Sequence, residues 1–183
     1  LSEKTMTRSK QRVRDLAEVF TRPREVNAMI NLVTKDTDLD VETALFLEPA
    51  CGNGNFLAEI LARKCEVIMR SPSDGWTDCT RILRALASIY AIDIDETNVR
   101  DSQNRLFHLA LAWRELITGA PASQEWGLAA YSILQQTVVR GDFLLGVIMN
   151  EVTVTDGWQL VMRPHLIGGG YIKDEKGMYK PKR

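Results

Sequence analysis

Phe46-Leu47-Glu48-Pro49-Ala50-Cys51-Gly52-Asn53-Gly54-Asn55 joins the end of an apolar, strand-like run to a loop that carries two glycines. Upstream, Ala44-Leu45-Phe46-Leu47 suits a buried parallel strand with Glu48 at its carboxyl end. Downstream, Phe56-Leu57 and Ile60-Leu61 open a pattern at helical spacing. Gly52 and Gly54 allow a tight turn and a close backbone approach that a Cβ would block, and the following helix offers unpaired amides at its start. Strand, glycine loop and helix in this order suit a nucleotide ligand. Glycines also end strands for purely structural reasons, so the neighbouring residues have to decide.

Those neighbours repeat the pattern. Ser88-Ile89-Tyr90-Ala91-Ile92 reads as a second strand ending in Asp93-Ile94-Asp95, with Thr97 able to cap a helix that carries Val99, Leu106, Leu109 and Trp113. Residues 126–134 suit another helix, and Thr137-Val138-Val139 a third strand running into Gly141-Asp142-Phe143. Alternating strands and helices predict an α/β fold with a mostly parallel sheet and right-handed crossovers. An N-terminal helical segment precedes it: Val13, Leu16, Ala17 and Phe20 recur at helical spacing, and Val26, Met29, Ile30 and Val33 resume the pattern after Thr21-Arg22-Pro23. Pro23 suits the first turn of the new helix, with Thr21 as a candidate cap. Between the first and second strands, the turn at Ser71-Pro72-Ser73-Asp74-Gly75 and a further helical pattern through Ile82, Leu83, Leu86 and Ala87 make the connection longer than one crossover helix requires.

The 183 residues predict a single domain: a basic arm at 1–14, a ligand-binding core at 15–145, and a remainder at 146–183 with a basic, solvated tail. The arm and the tail each have an alternative use, on a phosphate and on a partner respectively. Val152-Thr153-Val154 and Trp158-Gln159-Leu160-Val161-Met162 look like strands, while Gly168-Gly169-Gly170 and Gly177 indicate irregular or hairpin chain. With 23 Lys and Arg against 24 Asp and Glu, no global positive field attracts a polyanion. Cys51, Cys65 and Cys79 form no C-x-x-C pair, which argues against structural zinc and, without a signal peptide, for a reducing compartment. No apolar stretch approaches the roughly 20 residues of a membrane-spanning helix. The expectation is a soluble cytoplasmic protein without metal.

In an open parallel sheet, ligands bind beyond the carboxyl ends of the strands, where Glu48, Asp93 and Asp142 all stand. Asp93 suits the hydroxyls of an adenosine ribose, its competing role as a helix cap being better served by Asp95 and Thr97. Asp142 can accept from an adenine amino group and Phe143 can give the ring an apolar face, while Ile92 and Ile94 flank the ribose position and can close the pocket on its other side, unless these apolar side chains are simply core.

Phe20-Thr21-Arg22-Pro23, the block from Leu47 to Phe56, Ala91-Ile92-Asp93-Ile94-Asp95 and Gly141-Asp142-Phe143-Leu144 together resemble the successive motifs of S-adenosylmethionine-dependent DNA adenine-N6 methyltransferases of restriction-modification systems. The resemblance spans residues 13–145. It implies a doubly wound sheet of the class I methyltransferase, Rossmann-like type, with S-adenosyl-L-methionine as cofactor. It also implies roles: Thr21 near the methionine end; Glu48, Pro49 and the Ala50-Cys51-Gly52-Asn53-Gly54 loop, with Asn55 and Phe56, around it; Asp93 and Ile94 at the ribose; Asp142 and Phe143 at the adenine. DNA is the implied partner.

The family's catalytic tetrapeptide, Asn or Asp followed by Pro-Pro and an aromatic, occurs nowhere in the chain. Adenine's exocyclic amine is a poor nucleophile because its lone pair is delocalised into the ring. A carboxamide and a carbonyl that accept its protons make it a better one, and the aromatic stacks on the flipped base. The nearest segment ends in Arg163-Pro164-His165, but Arg163 has only donors and would repel a sulfonium. The catalytic residues therefore stay unassigned. The expectation is a methyltransferase, or the cofactor-binding portion of a split or truncated one with a second subunit supplying the catalytic and recognition parts. A methyltransferase acting on RNA, protein or a small molecule, and a non-catalytic cofactor-binding subunit, are the alternatives.

Overall fold

In the computed structural model, which describes residues 21–34, 40–71, 75–144, 146–148, 171–173 and 179–181, the alternation becomes five helices around a small sheet. The strands are β1 (Phe46–Glu48), β2 (Ile89–Asp93), β3 (Val138–Asp142) and β4 (Val147–Ile148). They lie side by side in that order, with β1, β2 and β3 parallel and β4 antiparallel to β3. The helices are α1 (Pro23–Thr34), α2 (Asn55–Arg70), α3 (Asp78–Ala87), α4 (Glu96–Thr118) and α5 (Gln124–Thr137). The basic arm, the helical pattern before Thr21, both strand-like runs at 152–154 and 158–162, and Arg163-Pro164-His165 lie outside the described residues. The basic end, expected to be a solvated tail, contains β5 (Tyr171–Lys173) paired antiparallel with β6 (Tyr179–Pro181), which lies beside β4.

Several boundaries shift by a residue or two. The first strand starts at Phe46 rather than Ala44, and Thr137 closes α5 instead of opening β3. Asp95, not Thr97, caps α4, its carboxylate accepting from the Thr97 amide at 2.7 Å and the Asn98 amide at 3.2 Å. An aspartate at that position fits both the capping geometry and the positive end of the helix dipole. The long first connection is two helices: α2 ends at Arg70, and Thr77 caps α3 by accepting from the Thr80 amide at 3.3 Å.

Strands that advance in chain order with right-handed connections place those connections on one face. The helices accordingly pack on one another: α2 against α4 and α3, and α5 against α3 and α4. Phe46, Ile89, Ala91 and Val138 share their core with Leu57, Leu61, Leu86, Leu106 and Leu134. By register, Leu47, Tyr90, Ile92 and Val139 occupy the opposite face. Among the described residues the chain winds in one direction only, so the second direction of a doubly wound sheet is not part of the described structure.

Two buried cations fix the approach to β1. Lys64 is fully buried on α2, and its ammonium donates to the carbonyls of Val41, Glu42 and Ala44 at 2.8, 3.0 and 2.7 Å. Burial pushes Lys64 down to about 8, opposed by the nearby Asp40 and Glu42 carboxylates. Arg81 on α3 grips Glu42 with two bonds of 2.9 and 2.6 Å, and also donates to Asp78 and to the carbonyls of Ile68 and Ser71. The short segment before β1 is thereby tied to two helices, and Glu48 leaves the sheet from a fixed position.

Candidate functional site

The glycine loop crosses the end of β2 and is held there at three levels. The Cys51 amide donates to the Ile92 carbonyl at 3.0 Å, in effect continuing the sheet beyond Glu48. Next, the Gly52 amide donates to Asp93 Oδ2 at 2.8 Å. Last, the Gly54 amide turns back to the Cys51 carbonyl at 2.9 Å, and α2 begins. Gly52 has φ +53° and Gly54 φ +80°, a region that side chains with a Cβ disfavour. The two glycines differ in what surrounds them. Among the described residues, a Cβ on Gly52 would meet no atom within 4 Å, so the loop is open there, whereas a Cβ on Gly54 would stand 2.9 Å from Ser102 Oγ.

Asp93 is the hub. Besides Gly52, it accepts at Oδ1 from the Asp95 amide at 2.9 Å and from Asn98 Nδ2 at 3.2 Å. The carboxylate is 9% exposed, and with three of its roughly four acceptor positions used it has room on Oδ2 for one more donor. Glu48 is half-buried, and its Oε1 accepts from the Ala50 amide at 3.2 Å. Burial raises the Glu48 carboxyl above its usual range, the Ala50 bond opposes this, and the charge of Asp93 adds to the rise. Two acids thus stand at one end of the sheet.

Asp142 follows by register: Asp93 pairs with Arg140 on β3, and Asp142 stands two residues further along. The even steps put Glu48, Asp93 and Asp142 on the helix-packed side of the carboxyl edge. Immediately after the two later acids come Ile94, 48% exposed, and Phe143, 39% exposed. Two large apolar side chains at neighbouring strand ends, half open to solvent, can cover the faces of a flat ring. Pro49 and Ala50 are exposed in the turn before the loop.

Three residues expected at the ligand have other partners. Cys51 is buried, its Sγ 3.8 Å from Ser102 Oγ, and its thiol is pushed up to about 12 by burial and then by the charge of Asp93. It packs as a small apolar residue. Phe56 turns towards the hydrophobic core. Asn55 is engaged at both ends, its Nδ2 donating to the Thr21 carbonyl at 3.3 Å while its Oδ1 accepts from Arg105 Nη1 at 2.5 Å. Thr21 accordingly lies beside the first residue of α2.

The residues that sequence reasoning missed sit on α4. Asn98 holds Asp93, Ser102 Oγ donates to the Gly52 carbonyl at 2.9 Å, and Arg105 reaches both Asn55 and the Asn53 carbonyl, the latter at 3.3 Å. Positions 98, 102 and 105 recur at helical spacing, a signal present in the sequence. A polar stripe on a helix ordinarily denotes the solvent side, yet Asn98 and Ser102 are buried at 3% and 0% exposure.

No protein-family model matches the chain, and no curated protein matches it. Among the described residues, no helix is long and apolar enough to cross a membrane, and no group of three or more His, Cys, Asp or Glu is placed to hold a metal ion.

Proposed function

We propose that the carboxyl edge of this sheet binds S-adenosyl-L-methionine, and that the chain is a DNA adenine-N6 methyltransferase or the cofactor-binding portion of one. The observation that carries the reading is the Gly52 to Asp93 hydrogen bond, which lays a glycine loop with open space above it across the end of β2, beside exposed Ile94 and Phe143. In this reading Asp93 Oδ2 accepts one ribose hydroxyl. That narrows the two-hydroxyl contact expected from the sequence, because the other acceptor positions are already used. The adenine lies between Ile94 and Phe143, with Asp142 near its amino group.

If the ring lies at β2 and β3, the remainder of the molecule extends the other way, over β1 and its loop. There it meets Glu48, the open side of Gly52 and Thr21. S-adenosylmethionine supplies an electrophilic methyl group on a sulfonium, and this chain's part is to hold that molecule in a fixed orientation. The finer fold assignment, a class I methyltransferase sheet, belongs to the same reading: β1, β2 and β3 with their helices correspond to one winding direction of such a sheet.

Residues 1–183 contain no Asn-Pro-Pro-aromatic tetrapeptide, so the proposal for them is confined to cofactor binding and assigns no catalytic residue. DNA and a subunit that carries the acceptor motif are then the proposed partners. Calorimetric titration with S-adenosylmethionine, with NAD as a control nucleotide, tests the binding. Saturable one-site binding of S-adenosylmethionine alone is expected. Equal affinity for both, or for neither, would remove the assignment.

A further inference from the structure

Thr21 and Arg105 are far apart in sequence, yet both meet the carboxamide of Asn55. Arg105 Nη1 donates to Asn55 Oδ1 at 2.5 Å and to the Asn53 carbonyl at 3.3 Å, and Asn55 Nδ2 donates to the Thr21 carbonyl at 3.3 Å. The geometry orders these bonds. A guanidinium only donates, so it selects the oxygen of the carboxamide and turns the NH2 group outward to the Thr21 carbonyl. Without Arg105, the carboxamide could rotate about its last torsion, which is broad, and present either atom to Thr21.

We infer that Arg105 is a positioning residue: through Asn55 it fixes the segment at Thr21 against the start of α2, and so shapes the end of the site that lies over β1. The inference rests on the cofactor reading, in which that end holds the methionine part of the ligand and the opposite end holds the adenosine. Arg105 touches no ligand in this arrangement. Its exposed position on α4 means that it can be replaced without opening the core. Asp93, Ile94 and Phe143, the proposed adenosine contacts, have no bond to this chain of residues.

The two halves of the ligand give the test. Affinities for S-adenosylhomocysteine and for 5′-methylthioadenosine, which lacks the amino-acid end, are measured by calorimetry on the full chain and on Arg105→Met, Arg105→Lys and Asn55→Asp. Arg105→Met is expected to weaken S-adenosylhomocysteine about three- to tenfold, the value of one partly exposed hydrogen-bonded link, and to leave methylthioadenosine unchanged. Arg105→Lys should recover part of the loss. Asn55→Asp keeps an acceptor for Arg105 and suits the start of a helix, but cannot donate to Thr21, so it should behave like Arg105→Met. Equal changes for both ligands, no change for either, or a neutral Asn55→Asp would overturn the inference while leaving the cofactor reading intact. Failure of the unaltered chain to bind either ligand would overturn the cofactor reading, and with it the role of Arg105.

Discussion

Replacing Asp93 with Asn changes one atom in the hub of the site and leaves the volume the same. The carboxylate accepts from Gly52 N at 2.8 Å, Asp95 N at 2.9 Å and Asn98 Nδ2 at 3.2 Å, all in a nearly buried position. An asparagine retains one acceptor oxygen. If that oxygen faces Asp95 and Asn98, the new NH2 group faces the Gly52 amide, donor against donor. A hydrogen bond to a charged group contributes about 1.5 to 3 kcal/mol, and a buried donor left without a partner costs about 1 to 3 kcal/mol. These two figures describe largely the same loss, so Asp93→Asn should destabilise by roughly 1.5 to 3 kcal/mol. That is a large share of the roughly 5 to 15 kcal/mol of a typical domain. Equilibrium unfolding in urea, followed by the fluorescence of buried Trp126, measures the total. Amide hydrogen exchange at Gly52 locates it, since this amide should lose its protection before the core does. Asn98→Ala, which removes one of the three donors, should cost about 1 kcal/mol. An Asp93→Asn variant within about 0.5 kcal/mol of the parent, with Gly52 exchange unchanged, would refute the hub.

Three further outcomes follow from the same geometry. Gly54→Ala places a Cβ 2.9 Å from Ser102 Oγ at φ +80°, and should destabilise by about 1 to 3 kcal/mol in urea unfolding; Gly52→Ala, with open space around its Cβ, should cost only the backbone term of about 1 to 2 kcal/mol. Glu42→Gln breaks the two-bonded pair with buried Arg81 and should cost about 3 kcal/mol in the same assay, whereas loss of the exposed Glu66 to Arg70 pair should cost under about 1 kcal/mol. Stability should rise between pH 8 and 9 and fall above 9. In the first window the unfolded chain holds a proton on Lys64, ordinarily near 10.5, that the folded chain, with Lys64 near 8, gives up. Above pH 9 the thiols of Cys51 and Cys65, raised from 9.0 to about 12 by burial, keep protons that the unfolded chain releases, each with a slope approaching 1.4 kcal/mol per pH unit, roughly. Urea midpoints under reducing conditions check this, and a steady fall from pH 8 or a rise continuing past 10.5 would contradict one group or the other.

The parts of the fold legible in the sequence are those that depend on local pattern. Phe46 to Glu48, Ile89 to Asp93 and the glycines between strand and helix declare themselves because strand, turn and helix have different periods and glycine has a distinct backbone range. What pattern cannot carry is which polar residues turn inward. Lys64 and Arg81 look like solvated charges until the carbonyls of 41, 42 and 44 and the Glu42 carboxylate are brought to them by the path of the chain. Ser102 and Asn98 hide for the same reason, since their partners lie on other elements. Asn55 belongs with them: its place in the motif suggested a ligand contact, and the path of the chain also brings Thr21 and Arg105 to its carboxamide. Thr97 and Asp95 were both sound caps by residue type, and only the register of the helix start separates them.

Titration of the chain with S-adenosylhomocysteine, followed in a nitrogen–proton correlation spectrum, tests most directly whether the strand ends hold an adenosine-bearing ligand. Saturable shifts centred on the amides of Thr21, Glu48, residues 50–54, Asp93, Ile94, Asp142 and Phe143 are expected, with those on the far side of α3 and α5 unmoved. An unchanged spectrum, or shifts that spare Gly52 and Ile94, would contradict the site.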